Sequence, residues 1–277
     1  MQRNTSDSED EPLIDTTAII PLRSKRTSRL QRKQDRRDEK ERAKPSLANL
    51  PTEIVIEILK YLRPSQVFEL SSLNLRFRSI VHTHANVIGD VIINRRYPLL
   101  VQCFPLPRKT QDLDPSVQAI LTDPKRRENK NIHNAQYQNI QRFDSCLLCS
   151  CLTCTLAYNN LSLVLDFAHW QDNLDMGEPI PMIPRGKMPS WNVDLVSKHA
   201  RMVLAAMNSS LLHARILETH LVSTVRSIKR HTENKGNKRR HVEMSPEEAI
   251  AGTDEFLARN GPASDGFPFH RDEYYML

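Results

Sequence analysis

Glycine is scarce in this chain, seven among 277 residues, and none falls in a GxGxxG or GxxxxGK[ST] pattern. Those patterns let backbone N–H groups close on a phosphate, so their lack removes the usual nucleotide cradles. No apolar run approaches the roughly 20 residues that a membrane-spanning helix needs. The opening MQRNTSDSEDEPLID has neither the basic start nor the apolar stretch of a secretory signal, and an intracellular protein, cytoplasmic and/or nuclear, is expected. In such a compartment the five cysteines stay reduced, which favours metal binding or plain packing over structural disulfides. Internal repeats are missing too, with no leucine-rich, WD or kelch period. Hydrophobic residues make up 39% of the chain, enough for a packed core but low for its full length, so part of it should lie outside that core.

The net charge is +6 with an isoelectric point near 9.1, and most of the excess sits in two short runs. Residues 1–45 join an acidic stretch to RSKRTSRLQRKQDRRDEKERAK, too charged and too poor in large apolar residues to offset the entropy of folding. A disordered acidic and basic arm is expected there, suited to nuclear import or phosphate contact, although Asp35, Asp38, Glu39 and Glu41 also fit a solvated segment. The second run, around Lys229, Arg230, Lys235, Lys238, Arg239 and Arg240, suits the negative C-terminal end of a helix.

Residues 46–98 are the most informative. Read as a helix from Thr52 to Leu62, the first segment has Glu53, Glu57 and Lys60 on one narrow stripe, while Ile54, Val55, Ile56, Ile58, Leu59, Tyr61 and Leu62 occupy the rest of the cylinder. A helix apolar nearly all round is buried on most sides, and two short neighbours cover only part of it. That surplus points to an outside partner. Pro51 and Glu53 suit the first turn, and Pro64 ends this helix and opens a second carrying Val67, Leu70 and Leu73. A third has Phe77, Ile80 and Val81 facing inward.

The Leu50-Pro51-x-Glu53-Ile54 opening, with Ile58, Leu62, Leu70 and the basic-aromatic Arg76-Phe77-Arg78, resembles an F-box. The resemblance covers about a fifth of the chain and extends across three helices. It implies docking onto the adaptor subunit of an SCF-type cullin–RING ubiquitin ligase, and through it association with cullin and RING protein, while the rest of the chain recruits a protein substrate. Carried over residue by residue, it assigns adaptor contact to Leu50, Pro51, Ile54, Ile58, Leu62, Val67 and Leu70. The lower half is similar to fungal F-box proteins that have a cysteine cluster and a helical region but no substrate-binding repeats.

Prolines, charges and amides over residues 99–142 predict a linker with one short helix near Val117 to Leu121. Residues 143–277 are expected to form the substrate-recognition domain. Within it LAYNNLSLVLDFAHW has the density of a buried element, and DMGEPIPMIPRGKMPSW is an irregular connection. Two amphipathic helices should follow between Val193 and Ile228. Ser245-Pro246-Glu247-Glu248 is a capping box opening a final helix to about Arg259, ahead of the aromatic tail FPFHRDEYYML. The fold class expected is mainly α: a disordered N-terminal arm, a three-helix F-box bundle, and an irregular, helical C-terminal domain.

Cys146, Cys149, Cys151 and Cys154 form the one constellation with inorganic chemistry, since closely spaced thiolates suit tetrahedral zinc. On one helix Cys146 and Cys149 share one direction and Cys151 and Cys154 another. Four bonds to one ion therefore need a turn, with Ser150 placed to supply it. Alternatively one pair closes with Cys103, His133 or His169, or the thiols are plain core residues. No cysteine-protease signature surrounds any Cys, and Asp166 and Asp172 read as caps or surface groups rather than a general acid and base. His169-Trp170-Gln171-Asp172 and Trp191-Asn192 fit an interface or a core edge. A non-catalytic adapter is the reading. Its rival is a nucleic-acid-binding zinc protein using basic runs 23–44 and 226–241, which lack the interleaved aromatics such proteins stack on bases.

Overall fold

The computed structural model describes residues 25–42, 47–122, 138–142, 144, 146–184, 186–233 and 244–259. Its contacts divide the chain into two units, Met1–Pro51 and Thr52–Leu277. In the first, α1 (Lys25–Arg42) precedes a 3-10 turn, Leu47–Asn49. The expected arm is thus helical over residues 25–42, and its described side chains are exposed. Arg, Lys and Gln have good intrinsic helix propensity, which needs no core to act.

The second unit opens with α2 (Thr52–Leu59), shorter than the sequence pattern predicts. It tightens at its end: Tyr61 N–H donates to Ile58 O at 3.0 Å and Leu62 N–H to Leu59 O at 3.2 Å. The cause is Pro64, which holds Arg63 in extended conformation (φ −74°, ψ 150°). Helix α3 (Pro64–Leu73) starts there, with Pro64 in its first turn and Arg63 N–H donating to Gln66 Oε1 at 3.0 Å. Asn74 caps α4 (Leu75–Arg96) by accepting from Phe77 N–H at 2.8 Å. Phe77, Ile80 and Val81 are buried as predicted, and beyond a kink at His84 so are Ile88, Ile92 and Ile93.

After α5 (Leu100–Cys103) and α6 (Pro115–Thr122), the chain reaches α7 (Leu152–His169), α8 (Gln171–Met176), α9 (Ser190–Ala206) and α10 (Ser210–Glu233). The described residues contain no strand, only an isolated antiparallel bridge between Lys109 and Leu148. A core of Tyr158, Leu161, Val164 and Leu165 from α7, Ala200, Val203 and Ala206 from α9 and Ile216 from α10 is closed by Phe104, Leu106, Ile140 and Leu148. Residues 99–142 therefore contribute packed side chains, where the sequence suggested only a linker.

Nor is the N-terminal bundle set apart from the C-terminal helices, since α10 packs along both α3 and α4. Gly89 makes the crossing possible: a Cβ there would lie 2.2 Å from the Leu211 backbone N. Asn86, one turn earlier, accepts from Ser210 N–H at 3.0 Å and so caps α10. Deeper in the contact, the buried Glu218 accepts from Ser65 N–H at 2.8 Å, from Ser65 Oγ–H at 2.6 Å and from Arg215 Nη1 at 2.8 Å. A carboxylate from α10 thereby satisfies orphan donors at the positive end of α3.

The final helix, α11 (Pro246–Ala251), has the predicted capping box, Ser245 Oγ accepting from Glu248 N–H at 3.2 Å and Glu248 Oε2 from Ser245 N–H at 2.9 Å. It does not continue to Arg259. Gly252 takes a left-handed φ of 63° and ends it, and a 3-10 turn, Glu255–Ala258, follows. Its terminal carbonyls meet two cations from the bundle, Arg63 at Ile250 O and Arg96 Nη1 at Ala251 O, the latter at 2.7 Å. Asp254 then accepts from Leu99 and Leu100 N–H at 3.0 and 2.7 Å, fixing the start of α5. The aromatic tail lies outside the described residues.

Three expectations follow. Glu218→Ala should cost roughly 2–3 kcal/mol in denaturant unfolding, because charge-assisted bonds are lost and the α3 donors are left unpaired, with Glu218→Gln losing less. Gly89→Ala should cost about 1–3 kcal/mol by forcing α4 and α10 apart, since the obstructing atoms are backbone. Burial pulls the imidazoles of His199, His213 and His220 below their ordinary range. The unfolded chain therefore binds more protons below about pH 6.5, and stability should be full above that value and fall as the pH drops through the lower folded values. Thermal unfolding at constant ionic strength between pH 7.5 and 5 checks this.

Candidate functional site

An α-helix advances about 100° per residue. Val55 and Leu59 consequently share one direction on α2, and Ile54 and Ile58 share the adjoining one. The first pair is buried in the bundle, whereas Ile54 is 48% exposed and Ile58 half-buried. Leu62 and Leu70 are half-buried as well, and Leu73 and Leu75 are largely exposed at the corner between α3 and α4. Tyr61 is half-exposed with the Arg95 guanidinium 4.0 Å above its ring, and Lys60 pairs with Glu57 at 2.8 Å. In the preceding unit Leu50 is half-buried and Pro51 exposed.

Val67 departs from the sequence assignment. It is wholly buried, because α3 turns that residue inward between its neighbours, and no partner can reach it. Ile54, Ile58, Leu62 and Leu70 keep apolar surface that the described chain leaves open. Covering one such side chain fully is worth about 1.5–3 kcal/mol, and these residues offer no group for acid–base or nucleophilic work. The strip can bind; it has no chemistry of its own.

The cysteines are brought together in part. Cys149, Cys151 and Cys154 have their sulfur atoms within 4.8 Å of one another, whereas Cys146 lies exposed outside that group and Cys103 is exposed on α5. Cys151 is the N-cap of α7, its Sγ accepting from Cys154 N–H at 3.4 Å, and Cys154 Sγ accepts from Arg108 N–H at 3.4 Å. Burial pushes the Cys154 thiol up to about 12, only partly offset by the Arg108 N–H. Burial also acts on Cys151, but hydrogen bonds from the Cys154 N–H and the Cys149 thiol outweigh it and leave that thiol below its ordinary value. His169 is not in the cluster, and His133 lies outside the described residues.

A third feature was legible only as two tryptophans. Trp170 and Trp191 meet edge to face with ring centroids 6.0 Å apart, in a cleft of about 520 Å³ lined also by His169, Pro181, Asp194, Leu195 and Lys198. Trp191, Asp194, Leu195 and Lys198 recur at helical spacing on α9, which is the signal that places them on one face. Of the second basic run, Arg226 pairs with Asp172 at 2.9 Å and with Asp175, and Arg230 lies 3.6 Å from Asp175, so these two charges are balanced within the chain. Residues 234–243 lie outside the described residues.

Residues 47–88 match the family model of the F-box domain, a span that takes in α2, α3 and the first part of α4. No curated protein and no solved structure matches the chain. An F-box implies binding to the adaptor subunit of an SCF ubiquitin ligase and, at that general level, a substrate adapter; F-box proteins are generally non-catalytic. The apolar strip on α2 and α3 thus lies within a recognised F-box domain, which this chain has at residues 47–88.

Proposed function

We propose that this chain is a non-catalytic substrate-recognition adapter of an SCF-type cullin–RING ubiquitin ligase, docking on the SCF adaptor through Ile54, Ile58, Leu62 and Leu70. One observation carries the reading: α2 buries Val55 and Leu59 in its own bundle yet leaves Ile54 48% exposed and Ile58 partly exposed beside it. The helix is two-faced, and its outer face is only partly covered among the described residues. Ubiquitin transfer belongs to the other ligase subunits. This chain supplies proximity, raising the effective concentration of a target's lysines at the loaded thioester. The Trp170–Trp191 cleft supports a recruiting role for the C-terminal helices, since rigid aromatics beside Asp194 and Lys198 combine apolar area with charged groups of both signs.

Ile54→Asp tests docking, because its side chain is half in solvent and can carry a charge without entering the core. Purified full-length chain should retain the SCF adaptor in a pull-down, and Ile54→Asp or Ile58→Asp should weaken that retention at least tenfold, about 1.4 kcal/mol, with an unchanged circular dichroism spectrum. Equal retention by wild type and both variants, or none by wild type, rules the reading out.

A further inference from the structure

We infer that Cys149, Cys151 and Cys154 bind one zinc ion, with Cys146 closing the tetrahedron. The first three thiols already converge, their sulfur atoms within 4.8 Å of one another. A tetrahedral ion with Zn–S bonds of about 2.3 Å sets sulfurs about 3.8 Å apart, so roughly an ångström of closure completes that part of the site. Soft thiolate ligands in this number select zinc over the hard oxygen-seeking cations.

The bland reading makes these cysteines small hydrophobes filling a gap. Their setting argues otherwise. They form a satellite cluster apart from the main core, in which Leu121 is the one other fully buried member and Leu113 lies partly buried beside it. A five-residue cluster with three cysteines offers little apolar burial to hold two chain segments together. Two backbone N–H groups, of Arg108 and Cys154, are directed at the sulfurs of Cys154 and Cys151, both at 3.4 Å. Such donors gain little from a neutral thiol, a weak acceptor, and much more from a metal-bound thiolate.

The backbone around the cluster is tied down in the manner a metal site requires. Cys149 N–H donates to Arg108 O at 2.9 Å and Thr110 N–H to Leu147 O at 3.0 Å, the two bonds flanking the Lys109–Leu148 bridge. An ion held here would link that bridge to the first turn of α7, where Cys151 is the cap and Cys154 lies three residues on. Cys146 stands at C-x2-C spacing before Cys149, on a turn where its N–H donates to Asp144 Oδ1 at 2.7 Å. Its side chain is exposed, and a shift of this turn toward the cluster would supply the fourth thiolate. Each ligand gives up its proton to solvent as the sulfur–zinc bond forms, with no change of oxidation state.

Metal analysis of the full-length chain, purified without added zinc or chelator, should give about one equivalent of zinc. Cobalt exchanged into the same protein should show tetrahedral thiolate charge-transfer bands. Cys154→Ser and Cys149→Ser should lose the ion, Cys103→Ser should keep it, and Cys146→Ser should bind more weakly with charge transfer reduced by about a quarter, as three thiolates replace four. Less than about 0.2 equivalents in the wild type, or full occupancy in Cys154→Ser, overturns the site, and an unchanged cobalt spectrum in Cys146→Ser removes that residue from it. The wild-type measurements stand even where a serine variant fails to fold. Ile54→Asp should hold the metal normally, which separates this site from adaptor docking.

Discussion

A single buried carboxylate joins the two halves of the packed unit. Glu218 reaches from the middle of α10 to the N-terminus of α3, where it takes the Ser65 N–H and hydroxyl, while Arg215 from its own helix balances its charge. A buried anion is costly unless it is fully engaged, and the positive end of a helix is one of the few backbone features that can engage it. The orientation of α10 against the F-box is therefore narrowly set. Gly89 and Asn86 enforce the same geometry one contact away, the glycine by allowing close approach and the amide by capping α10. Arg63 and Arg96 add a third tie by meeting the carbonyl end of α11.

These ties bear on function through geometry. The adapter role proposed above would require one body to be held at a set place relative to another, and looseness between a docking face and a recruiting face would dilute the effective concentration it creates. Here α3, a wall of the F-box, is bolted by polar contacts to the helix that also packs against α7, the helix leading to the Trp170–Trp191 cleft. The two-faced character of α2 fits that proposal: Val55 and Leu59 close the bundle, while Ile54 and, in part, Ile58 stay open beside them.

Several elements could be read from residues alone because their causes are local. Pro64 both stops α2 and starts α3, Ser245 and Glu248 satisfy each other's backbone donors, and Phe77, Ile80 and Val81 fall on one side of a helix by spacing. Other features escaped because their causes are distant in sequence. The packing of Phe104, Leu106 and Ile140 depends on the core formed by α7, α9 and α10, and the proline-rich, charged composition around them hides that. Val67 and Leu70 look alike as helical apolar positions, yet only Val67 is wholly enclosed. The early end of α11 turns on Gly252, a residue compatible with a helix until the chain must reverse to bring Asp254 to Leu99 and Leu100.

What residue order settles by itself is the F-box pattern, the helical class and the surplus of apolar residues on α2, since periodicity, proline and capping chemistry act over a few positions. Tertiary structure alone decided which of those apolar residues stay open, which three cysteines meet, and that α2–α4 and the C-terminal helices form one packed unit. Each of those outcomes depends on side chains far apart along the chain, Glu218 with Ser65, Asn86 with Ser210, Arg108 with Cys154, whose proximity no local pattern encodes.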